Sequence, residues 1–143
     1  MLPDARRRLE DLLDREIELA RVLAATLAAE KTALTGDSPK AVEENAAEKI
    51  RVLETIENLE QERRALCASP MSPGIAATVV ERWRKLMELM AGCRTANEVN
   101  GHIIHVRQHQ IRQLLDIVRG GPSMTYDPHG KTFAKALRAI ARA

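Results

Sequence analysis

The hydrophobic residues of the first part of this chain follow two stripes with helical spacing. From Asp4 to about Leu34, leucine, isoleucine and alanine recur at steps of three, four and seven residues, which places them on one face of a helix. Gly36 predicts the end of this helix. Ser38 followed by Pro39 predicts the start of a second helix, because a serine hydroxyl caps free amides and proline suits the first helical position.

The second stripe ends before Pro70 and Pro73, which a helix does not accommodate, and a third and longer stripe follows. Its apolar and amide residues form two series with seven-residue spacing, which is the pattern of a coiled-coil seam. The first series is Trp83, Met90, Asn97, Ile104, Ile111 and Val118, and the second includes Leu86, Cys93, Asn100 and Leu114. The pattern stays in phase through Gly101, so it predicts one unbroken helix.

After Gly120-Gly121-Pro122, a short amphipathic pattern returns with Phe133, Leu137 and Ile140. Basic residues lie beside it: Lys131, Lys135, Arg138 and Arg142. The predicted fold is therefore all-α, an antiparallel bundle of three long helices with an amphipathic C-terminal tail helix. Residues 1–119 form the predicted helical body, and residues 120–143 a flexible loop and basic tail.

Unequal helix lengths predict an overhang at the end of the third helix. With short connections between antiparallel helices, the third helix extends past the start of the second by about 20 Å, roughly residues 105 to 119. Apolar residues of this segment and of the tail are candidates for binding a partner helix, because an uncovered apolar stripe marks a partner site or an aggregation hazard. The candidates are Ile104, Ile111, Leu114, Leu115, Val118, Phe133, Leu137 and Ile140.

Composition and charge narrow the functional classes. Aromatic residues make up 2% of the 143 residues, which disfavours a sheet core, and the net charge of +2 is too balanced to indicate nucleic acid as the partner. No apolar run reaches the length of a membrane span, and no signal-peptide pattern is present, so we expect a cytoplasmic protein without membrane insertion. Cys67 and Cys93 lack metal-motif spacing and are expected to be free thiols that act as small hydrophobic residues.

The sequence contains no pattern that requires catalysis or a cofactor. His102, His105 and His109 share one helical face, but this face points away from the seam, so we expect solvated histidines rather than metal ligands. No phosphate-binding loop and no nucleophile elbow occur. The expected protein is not an enzyme and binds neither metal nor cofactor.

Asn97 and Asn100 occupy seam positions where an apolar residue is the default. A buried amide that finds hydrogen-bond partners fixes the register of a coiled coil at some cost in stability, and this structural interpretation is favoured over bonding to a partner's backbone. Gly101, which follows, either permits a close approach between helices or is a weak point of the helix.

Two segments of the second half resemble the FlgN family of flagellar export chaperones. The first is Asn97-Glu98-Val99-Asn100-Gly101-His102-Ile103-Ile104, and the second is Tyr126-Asp127-Pro128-His129-Gly130-Lys131. The matching motif positions are Asn97, Asn100, Gly101, Tyr126, Asp127, Pro128 and Gly130. The resemblance extends over nearly the whole chain, although the first two helices match only in periodicity.

This resemblance implies a chaperone of the flagellar type III secretion system. Such proteins bind the C-terminal helical segments of the hook-filament junction proteins FlgK and FlgL, prevent their early assembly and deliver them to the export-gate protein FlhA. It also implies that Tyr126 takes part in docking to the export gate. The competing interpretation is that the Tyr126 ring caps the end of the third helix.

Two other functions are compatible with the residues. One is a coiled-coil adaptor or dimerisation module without a chaperone role, and the other is a metal-dependent helical protein that uses the three histidines. The sequence leaves the oligomeric state open between a monomer and a homodimer.

Overall fold

The computed structural model describes residues 3–68 and 76–120, which form three helices. These are α1 (Pro3–Thr35), α2 (Pro39–Cys67) and α3 (Ala77–Val118). No strand occurs among the described residues. The predicted all-α fold with three long helices is confirmed, and α3 is the longest at 42 residues and runs unbroken through Asn100 and Gly101. The predicted tail helix lies outside the described residues.

The turn between α1 and α2 has the predicted capping residues. The Ser38 hydroxyl accepts a hydrogen bond from the Ala41 amide at 3.2 Å, and Pro39 occupies the first helical position. The Gly36 amide donates to the Ala33 carbonyl at 3.2 Å and closes the last turn of α1. A Cβ atom at Gly36 would lie 3.4 Å from the Thr32 carbonyl oxygen, at the near limit of ordinary van der Waals contact.

Cross-helix contacts give the direction of each helix relative to α1. Arg8 pairs with Glu62 at 2.9 Å while Glu30 pairs with Lys49 at 3.1 Å, so residue numbers fall along α2 as they rise along α1. Along α3 they rise together: the Thr78 hydroxyl donates to Glu10 at 2.6 Å, and the Asn100 amide donates to the Leu27 carbonyl at 2.9 Å. These contacts join α1 to both of the other helices.

Two hydrophobic clusters form the core, and α1 contributes most of both. The first contains Leu9, Leu13, Ile17, Ala20, Val79 and Leu86. The second contains Leu23, Leu27, Val52 and Cys93. The buried line of α3 is thus the series with Leu86, Cys93 and Asn100, and the series with Trp83 and Ile111 lies beside it. The sequence pattern placed both series in one seam and did not indicate which of them is buried.

Two polar crossings connect all three helices. We call the first the upper crossing: the Lys49 ammonium on α2 lies 3.1 Å from both carboxylate oxygens of Glu30 on α1 and donates to the Asn97 side chain on α3 at 2.7 Å. Asn100 completes it by donating to Glu30 at 2.9 Å. Because Glu30 is buried, these donors offset the desolvation of its carboxylate.

The second, lower crossing lies fourteen residues away on each helix. The Arg63 guanidinium donates to the buried Glu16 carboxylate at 2.8 Å and stacks over the Trp83 ring, 4.7 Å from its centroid. Burial raises the pKa of Glu16 above its ordinary value, although the hydrogen bond from Arg63 opposes this shift.

The two cysteines are free thiols. Cys93 is buried as predicted, and its thiol donates to the Ala20 carbonyl at 3.5 Å. Burial raises the pKa of the Cys93 thiol, which lowers the fraction of reactive thiolate. Cys67, at the end of α2, is half-buried.

Candidate helix-binding surface

Arg107 marks the level at which α3 passes the end of α1. Its guanidinium donates to the Leu34 carbonyl and to the Gly36 carbonyl, the latter at 3.4 Å, so it binds carbonyl oxygens at the C-terminal end of α1. The segment from Gln108 to Val118 continues beyond this point. The first residues of the predicted overhang therefore lie beside the α1–α2 turn, and only the later ones extend past it.

A cavity of about 490 Å³ lies between the α1–α2 turn and α3. Its apolar lining comes from Leu34 on α1, Val42 on α2, and Ile104 and Ile111 on α3. Two of the predicted partner-binding residues, Ile104 and Ile111, therefore face one concave site. Apolar side chains around a concavity of this size suit the insertion of an apolar side chain from a partner.

Beyond the cavity, α3 presents an exposed apolar surface, which we call the α3 strip: Ile111, Leu115 and Val118. Their exposed fractions are 49%, 41% and 70%, and their spacing of four and three residues places them on one face. The overhang is not bare on all sides, however. Leu114 is half-buried and Ile117 is buried, so one face of this segment is covered.

The amides of the family motif have a structural role. Asn100 is 2% exposed and donates both to the Leu27 carbonyl and to Glu30, whereas Asn97 is exposed and accepts from Lys49. The favoured structural interpretation of Asn100 is therefore confirmed. The close-approach interpretation of Gly101 is wrong, because a Cβ atom there would meet no atom within 4 Å.

His102, His105 and His109 are exposed, as their position on the helix predicted. Within residues 3–68 and 76–120, no group of three or more histidine, cysteine or acidic residues is arranged to hold a metal ion. In the same part of the chain, no helix is both long and apolar enough to cross a membrane.

The predicted site residues of the tail lie outside the described residues. These are Tyr126, Asp127, Pro128, Gly130, Phe133, Leu137 and Ile140.

The sequence pattern missed three polar residues that position this end of α3: Glu30, Lys49 and Arg107. A signal for the first two is present, because acidic residues recur fourteen positions apart on the buried face of α1, and basic residues do so on α2. Arg107 had no such signal, since arginine is ordinary on a solvated helix face.

The described residues define a bundle of three long helices in which the end of α3 keeps an exposed apolar face beside a cavity. The family model described as FlgN protein matches residues 1–133. The chain therefore belongs to the FlgN family, which is a family of flagellar export chaperones. Comparisons with curated proteins and with solved structures give no match.

Proposed function

We propose that this protein is a cytoplasmic chaperone of flagellar type III export that binds the C-terminal helical segments of the junction proteins FlgK and FlgL. In this proposal it prevents their early assembly and delivers them to the export-gate protein FlhA. The observation that supports helix binding is the α3 strip next to the apolar cavity at Ile104. An amphipathic helix that polymerises through its apolar stripe needs that stripe covered, and a second helix with an open apolar face covers it.

The apolar area of this surface supplies only part of the binding energy. Fully burying one leucine, isoleucine or valine side chain contributes about 1.5 to 3 kcal/mol. Ordering each residue of a bound helix costs about 1 to 2 kcal/mol of backbone entropy, so the apolar side chains of the partner helix must contribute the remainder. The complex is thus expected to be reversible, as delivery to an export gate requires.

The test measures binding of synthetic peptides from the C-terminal heptads of FlgK and FlgL of the same bacterium, by isothermal titration calorimetry. Leu115→Glu places a charge in the proposed interface and should lower affinity at least about tenfold. Val22→Glu is the matched control, since Val22 is exposed to 38% but lies on α1 and lines neither the cavity nor the strip. Unchanged affinity in Leu115→Glu would exclude the α3 strip as the binding surface.

We propose two roles for the chain beyond Gly120. Phe133, Leu137 and Ile140 take part in client binding, so deletion of residues 131–143 should change client affinity while leaving the helical circular dichroism of the body intact. Stronger binding identifies the tail as a competitor, and weaker binding identifies it as a clamp. An unchanged affinity would contradict a role of the tail.

The second role concerns Tyr126, which we propose docks to the export gate. Tyr126→Ala should weaken binding to the cytoplasmic domain of FlhA and leave peptide affinity unchanged. Unchanged gate binding rejects this role.

The exposed α3 strip also fits a second copy of the chain, which favours the alternative of a dimerisation module. Sedimentation equilibrium of the isolated protein distinguishes the two functions. A stable dimer that Leu115→Glu dissociates, together with no affinity for the peptides, would support the module and contradict the chaperone.

A further inference from the structure

A second apolar surface lies at the opposite end of α3, between α2 and α3. Both helices pack along α1, and side-chain contacts join α2 to α3 at the two polar crossings. Beside these contacts, large apolar side chains remain exposed. We call this surface the α2–α3 groove: Leu53 on α2, and Val80, Trp83 and Met87 on α3, with exposed fractions of 41% or 42%.

The contacts of the neighbouring residues show that both walls face the same groove. Trp83 meets Arg63 of α2, and Val80 and Met87 lie three residues before and four residues after it, on the same side of α3. On α2, Leu53 lies four residues after Lys49. Because the Lys49 ammonium reaches Asn97 of α3, Leu53 lies on the side of α2 that faces α3.

The groove ends at a second cavity, of about 270 Å³, at the lower crossing. Leu9, Leu13, Val79 and Val80 supply apolar walls, and Trp83 and Arg63 form its edge. The groove and the candidate site at the other end lie on either side of the upper crossing. Val42 and Ile104 of the first cavity lie seven residues from Lys49 and Asn97, so the same pair of helix faces lines both.

The charges beside the groove specify what kind of helix fits. Glu57 follows Leu53 by four residues on α2, and Arg94 follows Met87 by seven on α3. Among the described residues, neither forms an ion pair. A helix in the groove would therefore pass the Glu57 carboxylate on one side and the Arg94 guanidinium on the other.

We propose that the client helix continues from the α3 strip into the α2–α3 groove and completes a four-helix bundle. The occupant is one amphipathic helix with an apolar heptad stripe, a basic flank towards Glu57 and an acidic flank towards Arg94. From Val118 to Val80 the surface measures about 57 Å at 1.5 Å per residue, so it accommodates about five heptads. The proposal rests on the client binding proposed above, and it adds the length, path and charge pattern of the bound helix.

The test compares two synthetic client peptides of about 14 and about 35 residues, which share the heptads that bind the α3 strip. The long peptide should bind the unaltered protein at least about tenfold more tightly than the short one. Val80→Glu/Met87→Glu should remove this difference and leave the affinity of the short peptide unchanged. Val22→Glu is the control, and circular dichroism verifies that each variant folds.

A charge-reversal pair provides the second measurement. Arg94→Glu should weaken binding of the long peptide by about three- to tenfold, and reversing the acidic flank of that peptide to lysine should restore it. Equal affinities of the two peptides, or a length effect that survives Val80→Glu/Met87→Glu, would show that the client helix does not bind in the α2–α3 groove. Neither result would contradict the proposed client function. If the unaltered protein binds neither peptide, both the groove and the proposed client function are wrong.

Discussion

The two polar crossings occupy equivalent positions in the bundle but leave different surroundings. In the upper crossing, Glu30 receives hydrogen bonds from Lys49 and from buried Asn100, so polar atoms fill the space between the helices. In the lower crossing, Glu16 receives one hydrogen bond, from Arg63. The residue of α3 at this level is Trp83, whose half-exposed ring lies beside a cavity. An acid–base pair joins α1 to α2 at both levels. The space between the helices is filled at the upper level, whereas a cavity remains at the lower level.

The comparison indicates that the residue on α3, not the ion pair between α1 and α2, determines how completely the space between the helices is filled at each level. Asn100 on α3 reaches both a main-chain carbonyl and the carboxylate of α1. Trp83 on α3 covers the guanidinium of Arg63 but offers nothing to Glu16. Four predictions test these two levels of the bundle and the helix that joins them, and they follow in decreasing order of expected effect.

Arg63→Ala should destabilise the protein by about 3 to 5 kcal/mol, because it leaves the buried Glu16 carboxylate without its partner. The free energy of unfolding in urea measures this loss. Arg64→Ala is the matched control, since Arg64 is a neighbouring arginine whose side chain is 71% exposed. Equal losses in the two variants would show that the lower crossing contributes no more than a surface pair.

Asn100→Ala should cost about 1 to 3 kcal/mol, because it removes two hydrogen bonds from a buried side chain. The exposed amide of the same crossing provides the comparison: Asn97→Ala should stay within about 0.5 kcal/mol of the original protein. Thermal unfolding followed by circular dichroism distinguishes the two. If Asn97 proved the more costly, the upper crossing would depend on Lys49 rather than on Asn100.

Gly101→Ala should stabilise the protein by about 1 kcal/mol, because alanine is the better helix former and its Cβ atom meets nothing within 4 Å. Gly120→Ala should have the opposite sign, since Gly120 adopts φ +76°, which is strained for alanine. Urea denaturation of both variants checks the pair. A destabilising Gly101→Ala would indicate a contact that the described helices do not make.

The smallest effect is the pH dependence of the lower crossing. Because the pKa of Glu16 is raised from 4.5 in the folded protein, its stabilising contribution is complete below that value and is lost as the pH rises through the raised pKa. The unfolding free energy of the original protein should therefore fall relative to Glu16→Gln above pH 4.5. Glu54→Gln is the control, since it removes a carboxylate from an exposed position. A rise of the unfolding free energy with pH relative to Glu16→Gln would contradict the raised pKa of Glu16.

The helices and their ends were predictable from the sequence because local chemistry specifies them. Ser38, Pro39 and Gly36 act through their own backbone and side-chain geometry, and they have the predicted roles. The buried face of α1 followed from periodicity, because leucine dominates it.

Long-range polar partners were not predictable in the same way. The fourteen-residue spacing of acids on α1 and bases on α2 is a signal for the pairing of Lys49 with Glu30, but it does not indicate that Lys49 also reaches Asn97 on α3. Two features of the candidate surface were also missed. Ile117 lay outside the predicted series although it is buried, and the first cavity depends on where the α1–α2 turn meets Ile104 and Ile111. The position of this cavity depends on the axial offset between α3 and α1, which periodicity alone does not specify.

The fourteen-residue repeat of acid and base has a consequence for folding. If the hairpin of α1 and α2 slid by two heptads, Glu16 would meet Lys49, or Glu30 would meet Arg63, so each shifted alignment keeps one of the two ion pairs. The turn disfavours these shifted alignments, because Gly36 ends α1 and Pro39 starts α2 with only two residues between them. A longer, flexible glycine-serine linker at this turn should therefore slow refolding through misaligned hairpins, even where final stability is little changed.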